Sequence, residues 1–128
     1  MTYPVQIVDD IDDFASGAFQ SAEEMVEELR RAFWFGCEAD DPMTALAFGR
    51  DFGPPLDAMF ASDIGHFDVI EMAGVLPEAW ELVEDGKLDH SEFRRFAFEN
   101  VVRLHGGMNP DFFKGTAVEQ AAADLLTD

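Results

Sequence analysis

Two carboxylates and one imidazole lie within six positions of the chain, in the segment Asp-Ile-Gly-His-Phe-Asp at residues 63–68. Carboxylates and imidazole bind divalent metal ions and also transfer protons. Asp63 follows an apolar run, so we expect it where a buried strand ends, and a buried carboxylate is costly unless it is paired or binds metal. The alternative, which the local pattern alone favours, is that Asp63 ends a turn and that His66 is an ordinary loop histidine.

Two short apolar runs predict the strands that would position this segment, each buried on both faces. They are Phe-Trp-Phe-Gly-Cys at residues 33–37 and Ala-Met-Phe-Ala-Ser-Asp at residues 58–63. Between them, Asp-Pro at residues 41–42 predicts a helix, with Asp as N-cap and Pro at the first helical position, that ends at Gly53. Strand, helix and strand within about 30 residues are typical of one right-handed βαβ crossover with parallel strands. Asp63 would then lie at the carboxyl end of a parallel strand, where α/β folds bind their ligands.

Helices are predicted for most of the remaining chain. Three capping boxes indicate helix starts: Ser21 with Glu24, Asp89 with Glu92, and Thr116 with Glu119. The first begins an amphipathic helix whose apolar stripe reaches Phe33, and the second begins a helix that is expected to stop at His-Gly-Gly, residues 105–107. A further helix is expected to begin at Pro77 and to end at Gly86.

Charge is the strongest global signal, because 8 basic and 27 acidic residues give a net charge of −19 among 128 residues. Such a surface repels phosphate, which excludes nucleic acids and anionic membranes as partners. Length and a 48% hydrophobic content predict a single domain over residues 1–128. Within it, residues 1–20 are weakly assigned, with a short strand at Val5, Ile7 and Val8. Neither a signal peptide nor a membrane-spanning run is recognised, so we expect a soluble, cytoplasmic protein.

The only cysteine, Cys37, excludes an internal disulfide framework and a zinc site built from several thiolates. Acidic neighbours are expected to raise the pKa of its thiol, which predicts a small core residue and not a nucleophile. Trp34 and Trp80 lie in apolar stripes and are likewise expected in the core.

Residues 81–92 resemble the later part of an EF-hand calcium loop. Gly86, Leu88 and Glu92 match the sixth, eighth and twelfth positions of such a loop. Val83, however, occupies the third position, where an oxygen ligand is required. A weak calcium site is therefore the lower-ranked hypothesis for this segment, and a helix-turn-helix corner is the alternative.

The segment at residues 60–68 resembles the last-strand segment of the amidohydrolase-related metal-dependent hydrolases. These TIM-barrel enzymes include the aminocarboxymuconate-semialdehyde-decarboxylase-like group, in which a Ser-Asp pair ends the eighth strand. The likeness covers roughly residues 21–119. It is carried by further similar blocks at residues 33–37, 76–86, 93–104 and 108–116.

The resemblance implies an α/β fold that is helix-dominated: a partial (β/α) barrel with the last two barrel strands in one parallel βαβ unit, followed by C-terminal helices. It also implies that Asp63 is the catalytic and metal-ligating residue, that His66 binds substrate, and that the cofactor is a divalent metal, with zinc the first choice. Gly65 replaces the family's usual proline. The chain has no His-x-His pair, and a complete barrel needs about 250 residues.

The resemblance therefore implies the C-terminal portion of a metal-dependent hydrolase or nonoxidative decarboxylase that acts on a small molecule. Such a chain is expected to be inactive alone, because the other metal ligands are absent. The partner would be a complementing N-terminal chain or a second copy. The alternative is a non-catalytic interaction or scaffold remnant.

Overall fold

The computed structural model describes residues 19–49 and 53–127. The chain divides into two compact units, residues 1–33 and 34–128. A single domain over all 128 residues stays a prediction. The short strand expected at residues 5–8 lies outside the described residues.

The first unit contains the helix α1 (Ala22–Ala32), as the sequence predicts. The Ser21 side chain accepts a hydrogen bond from the backbone N–H of Glu24 at 3.2 Å, which confirms Ser21 as the N-cap. The Glu24 carboxylate accepts the return bond from the backbone N–H of Gln20, one residue earlier than a standard capping box requires. Phe33 is the C-cap in an extended conformation, so the helix ends before the residue at which its apolar stripe was expected to stop.

The second unit contains every other described element. In chain order these are β1 (Phe35–Cys37), α2 (Thr44–Phe48), β2 (Ala58–Phe60), α3 (Val75–Glu84), α4 (His90–Arg94), a π-helical segment (Arg95–Glu99), α5 (Asn100–Met108) and α6 (Glu119–Thr127). The fold is α/β and rich in helix, with one small parallel sheet, which confirms the coarse prediction. Within the described ranges, no helix combines the length and the apolar character needed to cross a bilayer.

The sheet consists of β1 and β2, paired in parallel with Phe35 opposite Ala58 and Cys37 opposite Phe60. The parallel pairing agrees with the prediction, but the strands are shorter than expected. β1 starts two residues later than predicted, and β2 ends at Phe60 rather than at residue 63. The prediction of burial on both faces was wrong for β1, because Gly36 is exposed.

The connecting helix also differs from its prediction. The Asp41 side chain does accept a hydrogen bond, from the backbone N–H of Met43 at 2.8 Å, but it closes a turn and not a helical end. α2 begins only at Thr44 and ends at Phe48, because Gly49 has an extended backbone. The predicted start at residues 41–42 and the predicted end at Gly53 were therefore both wrong.

Edge-to-face aromatic contacts form the main core of the second unit. Phe96 is fully buried and its ring contacts those of Phe48, Phe60 and Phe93, with centroid distances of 5.9 to 6.4 Å. Trp80 was predicted to be in this core, but 37% of it is exposed, and its ring contacts those of Phe93 and His90.

The long C-terminal helical region passes through its predicted stop. The Asp89–Glu92 capping box is formed as predicted, and the helix then continues through the π-helical segment into α5. The stop expected at residues 105–107 is absent because Gly106 is buried where α5 meets α6. A Cβ atom there would lie 2.6 Å from the Leu126 Cδ1 atom, so the glycine makes room for the Leu126 side chain against α5.

The ends of α3 and α6 show smaller departures from the prediction. α3 begins at Val75, and Pro77 lies within its first turn, where a missing N–H is tolerated. α6 begins at Glu119. The Thr116 hydroxyl donates to the Phe113 carbonyl oxygen instead of capping the helix, so the third predicted capping box does not form.

Candidate functional site

Asp63 lies three residues beyond the carboxyl end of β2, in a loop and not in the strand. Its backbone φ is 47°, a left-handed conformation that few residues other than glycine adopt, although aspartate is one of those that do. The chain turns out of the sheet at this point. The expected position at a strand end is therefore only approximate, and the side chain is 41% exposed rather than buried.

A tight turn brings His66 back to Asp63. The backbone N–H of His66 donates to the Asp63 carbonyl oxygen at 3.0 Å, and Gly65 between them has a φ of 106°. The His66 Nδ1 atom then lies 3.3 Å from the Asp63 Oδ2 atom and 2.5 Å from the Asp68 Oδ1 atom. The two carboxylates thus flank one imidazole nitrogen.

Electrostatics in this loop favour the charged form of the histidine. The hydrogen bond to Asp68 raises the pKa of His66, and the negative charges of Asp68, Asp63 and Glu38 raise it further. In return, the hydrogen bond from His66 lowers the pKa of Asp68. The side chains of His66 and Asp68 are 51% and 62% exposed, so water has access to the whole group.

The ligand atoms of Asp63, His66 and Asp68 all lie within 4.8 Å of one another. In the part of the chain that the structure describes, no other group of three Asp, Glu, His or Cys side chains comes this close. Two carboxylate oxygens and one imidazole nitrogen form a donor set that zinc and other first-row divalent metals accept. The three residues together could hold a divalent ion, and we call them the Asp-His-Asp triad.

The sequence singled out all three triad residues but assigned their roles differently. Asp63 was predicted to bind the metal and His66 to bind substrate, whereas Asp68 received no role. The geometry instead places His66 and Asp68 beside Asp63 as potential ligands. The signal available was the i, i+3, i+5 spacing around Gly65, since a glycine there permits the turn that gathers the side chains.

A cleft of about 520 Å³ opens next to the triad, and its walls are strongly acidic. Its carboxylates are Glu38, Asp40, Asp63, Asp68, Glu71, Glu78 and Glu81, and its lining includes no Lys, Arg or His. Apolar residues line the remainder, among them the buried residues Ala39 and Val75. We call this feature the acidic cleft. The sequence did not predict it, because its walls come from three separate segments of the chain.

Residues 81–92 form a helix-turn-helix corner. Gly86 has a φ of 69°, and the backbone N–H groups of Lys87 and Leu88 both donate to the Leu82 carbonyl oxygen. The Asp89 carboxylate caps α4 through the N–H groups of the next turn. The corner does not bring three of its own carboxylates together, whereas the triad does bring three ligands together.

Cys37 is half-buried against the core of the second unit. Burial raises the pKa of its thiol, and the negative charge of Asp41 raises it further. The direction agrees with the sequence prediction, although burial contributes more than the acidic neighbour. A thiol in this state is a poor nucleophile near neutral pH.

Comparison of the chain with protein-family models, with curated proteins and with solved structures finds no significant similarity in any of the three.

Proposed function

We propose that the second unit binds a divalent metal ion, with zinc the first choice, through Asp63, His66 and Asp68. The observation that carries this proposal is the convergence of three ligand atoms within 4.8 Å. The left-handed backbone at Asp63 supports it, because conformations of this kind are concentrated at functional sites. The neighbouring acidic cleft supports it as well, because a wall of carboxylates raises the local concentration of cations.

We further propose that this metal site belongs to a centre of the amidohydrolase type, a hydrolase or nonoxidative decarboxylase acting on a small molecule. A bound metal ion would supply Lewis acidity. Asp63 would hold the ion and accept a proton, and His66 would orient the metal or the substrate. Besides the need for the ligands that the family supplies from other strands, the exposure of all three side chains is a further reason to expect an inactive site in the isolated chain, since catalysis is favoured where bulk water is excluded.

A second chain would have to complete such a barrel, and the two edges of the sheet differ as attachment points. The outer edge of β2 carries a hydrogen bond from Asn100 to the Ala58 carbonyl oxygen, and both residues are fully buried. At the outer edge of β1, Gly36 is exposed. A complementing strand would therefore pair with β1 more easily than with β2.

The covered edge of β2 also favours the second candidate function, a non-catalytic interaction or scaffold remnant. A barrel must pair its last strand with its first one. The Asn100 side chain occupies that position at Ala58, so closure of a barrel would require it to move. A remnant that no longer closes a barrel would keep this bond.

The proposal is tested by equilibrium dialysis of the purified chain against zinc, with elemental analysis of the bound metal. We expect one zinc per chain, lost in Asp63→Asn and in Asp68→Asn. Asn is the suitable replacement at position 63 because it also tolerates a left-handed backbone. Glu84→Gln removes one charge from a residue outside both the triad and the acidic cleft, and it should keep the metal. Unchanged zinc content in both Asn variants would contradict the metal site.

A further inference from the structure

The loop that contains His66 and Asp68 and leads into the first turn of α3 exposes apolar side chains to an unusual extent. Phe67 and Ile70 are 87% and 90% exposed, and the same loop leaves three more large apolar residues open to solvent. These are Ile64, Met72 and Leu76. Five such side chains within 13 residues are typical of a surface that associates with a partner. We call residues 64–76 the apolar loop.

The apolar loop borders the acidic cleft. Ile70 belongs to the lining of the cleft, together with Val69 and the buried residue Val75. The carboxylates of Glu78 and Glu81 on α3 line the cleft too, and further acidic side chains from the segment after β1 complete the wall. The apolar loop and the acidic cleft therefore form one surface. It combines solvent-exposed apolar side chains with carboxylates, and no basic side chain lines the cleft.

We propose that this surface binds a Lys/Arg-rich amphipathic segment of another protein. The apolar side chains of the segment would cover Ile70 and Phe67, and its ammonium or guanidinium groups would lie against the carboxylates of the cleft. Charge complementarity selects this occupant, because the cleft lining has no basic side chain and has five carboxylates besides Asp63 and Asp68, which lie against His66. A volume of about 520 Å³ lies within the range that binds ligands in proteins, so the cleft can accept several side chains.

The charge argues against two other occupants. A second copy of this chain carries the same net charge of −19 and would bring like charges together. An anionic membrane is repelled for the same reason. A zwitterionic bilayer could receive Phe67 and Ile70, but it would leave the carboxylates of the cleft unpaired. Asp63 and Asp68 line the cleft and also belong to the triad, but the interaction needs no bound metal and is tested at Ile70, Glu78 and Glu81, none of which belongs to the triad.

The test measures the binding of labelled 18-residue peptides by fluorescence anisotropy, in 0.1 M salt with EDTA to remove any metal. One peptide is a Lys/Leu amphipathic helix, and the other has Ser in place of Leu at equal charge. We expect saturable binding of the Lys/Leu peptide at one per chain and at least about tenfold weaker binding of the Lys/Ser peptide. Equal binding of the two peptides would overturn the proposal, because charge alone would then explain the association.

Pairs of charge-removing substitutions inside and outside the acidic cleft test whether the peptide binds at the cleft. Glu78→Gln/Glu81→Gln should weaken the Lys/Leu peptide about tenfold, whereas Glu27→Gln/Glu84→Gln removes the same charge outside the cleft and should change binding less than twofold. Glu38→Gln/Asp40→Asn is a second lining pair with the same expected loss, should the first pair fail to fold. Equal weakening by lining and control pairs would overturn the proposal in favour of diffuse attraction to the acidic surface.

The apolar part has its own control. Ile70→Ser should weaken the Lys/Leu peptide about tenfold, whereas Met108→Ser, at another strongly exposed apolar residue, should leave it unchanged. Vesicles of zwitterionic lipid are tested in parallel and should not bind. Vesicle binding that Ile70→Ser abolishes would overturn the proposal in favour of a membrane surface. Zinc binding by the triad could fail in the dialysis experiment without any effect on these results.

Discussion

The Asn100 side-chain amide donates a hydrogen bond of 2.8 Å to the carbonyl oxygen of Ala58 in β2. The carbonyl oxygen of Asp57 and the N–H of Ala61 bond to β1, so the alternation of the strand directs the Ala58 carbonyl to the opposite edge. A third strand would normally satisfy that edge. Asn100, which is fully buried, replaces it at this one position.

We expect Asn100→Leu to destabilise the protein by about 1–3 kcal/mol, because it leaves the buried Ala58 carbonyl oxygen without a donor. Urea unfolding followed by circular dichroism measures the change. Gln120→Leu is the control, since the amide of Gln120 bonds to an exposed Asp124 and its loss should cost less than about 0.5 kcal/mol. Equal stability of the two variants would show that Asn100 does not hold the edge of β2.

Two adjacent glycines in α5 should respond to alanine in opposite directions. Gly106→Ala places a methyl group 2.6 Å from the Leu126 Cδ1 atom, so we expect the Leu126 side chain to move and the free energy of unfolding to fall by about 1 kcal/mol. Gly107→Ala meets nothing within 4 Å and should gain about 0.5–1 kcal/mol from helix propensity. Thermal unfolding compares the two.

The same pair of helices allows a double-mutant test. Leu126→Ala removes the atoms that the new methyl group would meet, so the loss caused by Gly106→Ala should be smaller in the Leu126→Ala background. Strict additivity of the two losses would contradict direct contact between these residues.

The raised pKa of His66 should be visible by NMR titration of its ring protons. We expect a midpoint above 6.5, and Asp68→Asn should lower the pKa more than Asp63→Asn does, because the hydrogen bond to Asp68 is the largest cause. A raised folded-state pKa stabilises the fold fully below the unfolded-state pKa, and this contribution is lost as the pH rises through the folded-state value. An unchanged midpoint in Asp68→Asn would contradict the contact.

Alanine substitutions at Gly65 and Gly115 distinguish the effect of backbone strain on stability from the effect of the turn on zinc binding. Both have a positive φ, 106° and 78°, so alanine at either position should cost about 1–2 kcal/mol of stability. Only Gly65 forms the turn between Asp63 and His66. Gly65→Ala should therefore lower zinc affinity in isothermal titration calorimetry, and Gly115→Ala should leave it unchanged. Equal zinc affinities in the two variants would show that the turn at Gly65 does not form the metal site.

Local signals in the sequence predicted local structure well. Ser21 and Asp89 were recognised as N-caps because the residues that complete each motif lie within four positions. The parallel pairing followed from the strand-helix-strand order. The continuation of α5 through Gly106 was missed because glycine is a common stop signal, whereas here it lies inside the helix and against Leu126, 20 positions later.

The sequence likewise predicted only the local part of the candidate site. The spacing of Asp63, His66 and Asp68 around Gly65 was visible in the sequence, but the hydrogen bond that joins Asp68 to His66 appears only once the turn is formed. The acidic cleft brings Glu38 near Glu78, 40 positions later in the chain. Its walls could therefore be recognised only once the tertiary structure placed them together.

The π-helical segment (Arg95–Glu99) has an i to i−5 bond from the Asn100 N–H to the Arg95 carbonyl oxygen, which amounts to one extra residue in the helical path. If the same residues were wound as an ordinary α-helix, without this wide turn, everything downstream would rotate by about 100°. Val102 would swing out of the interior and the amide of residue 100 would lose its carbonyl partner. The extra residue in the π-helical turn thus determines which side chains of α5 face the sheet.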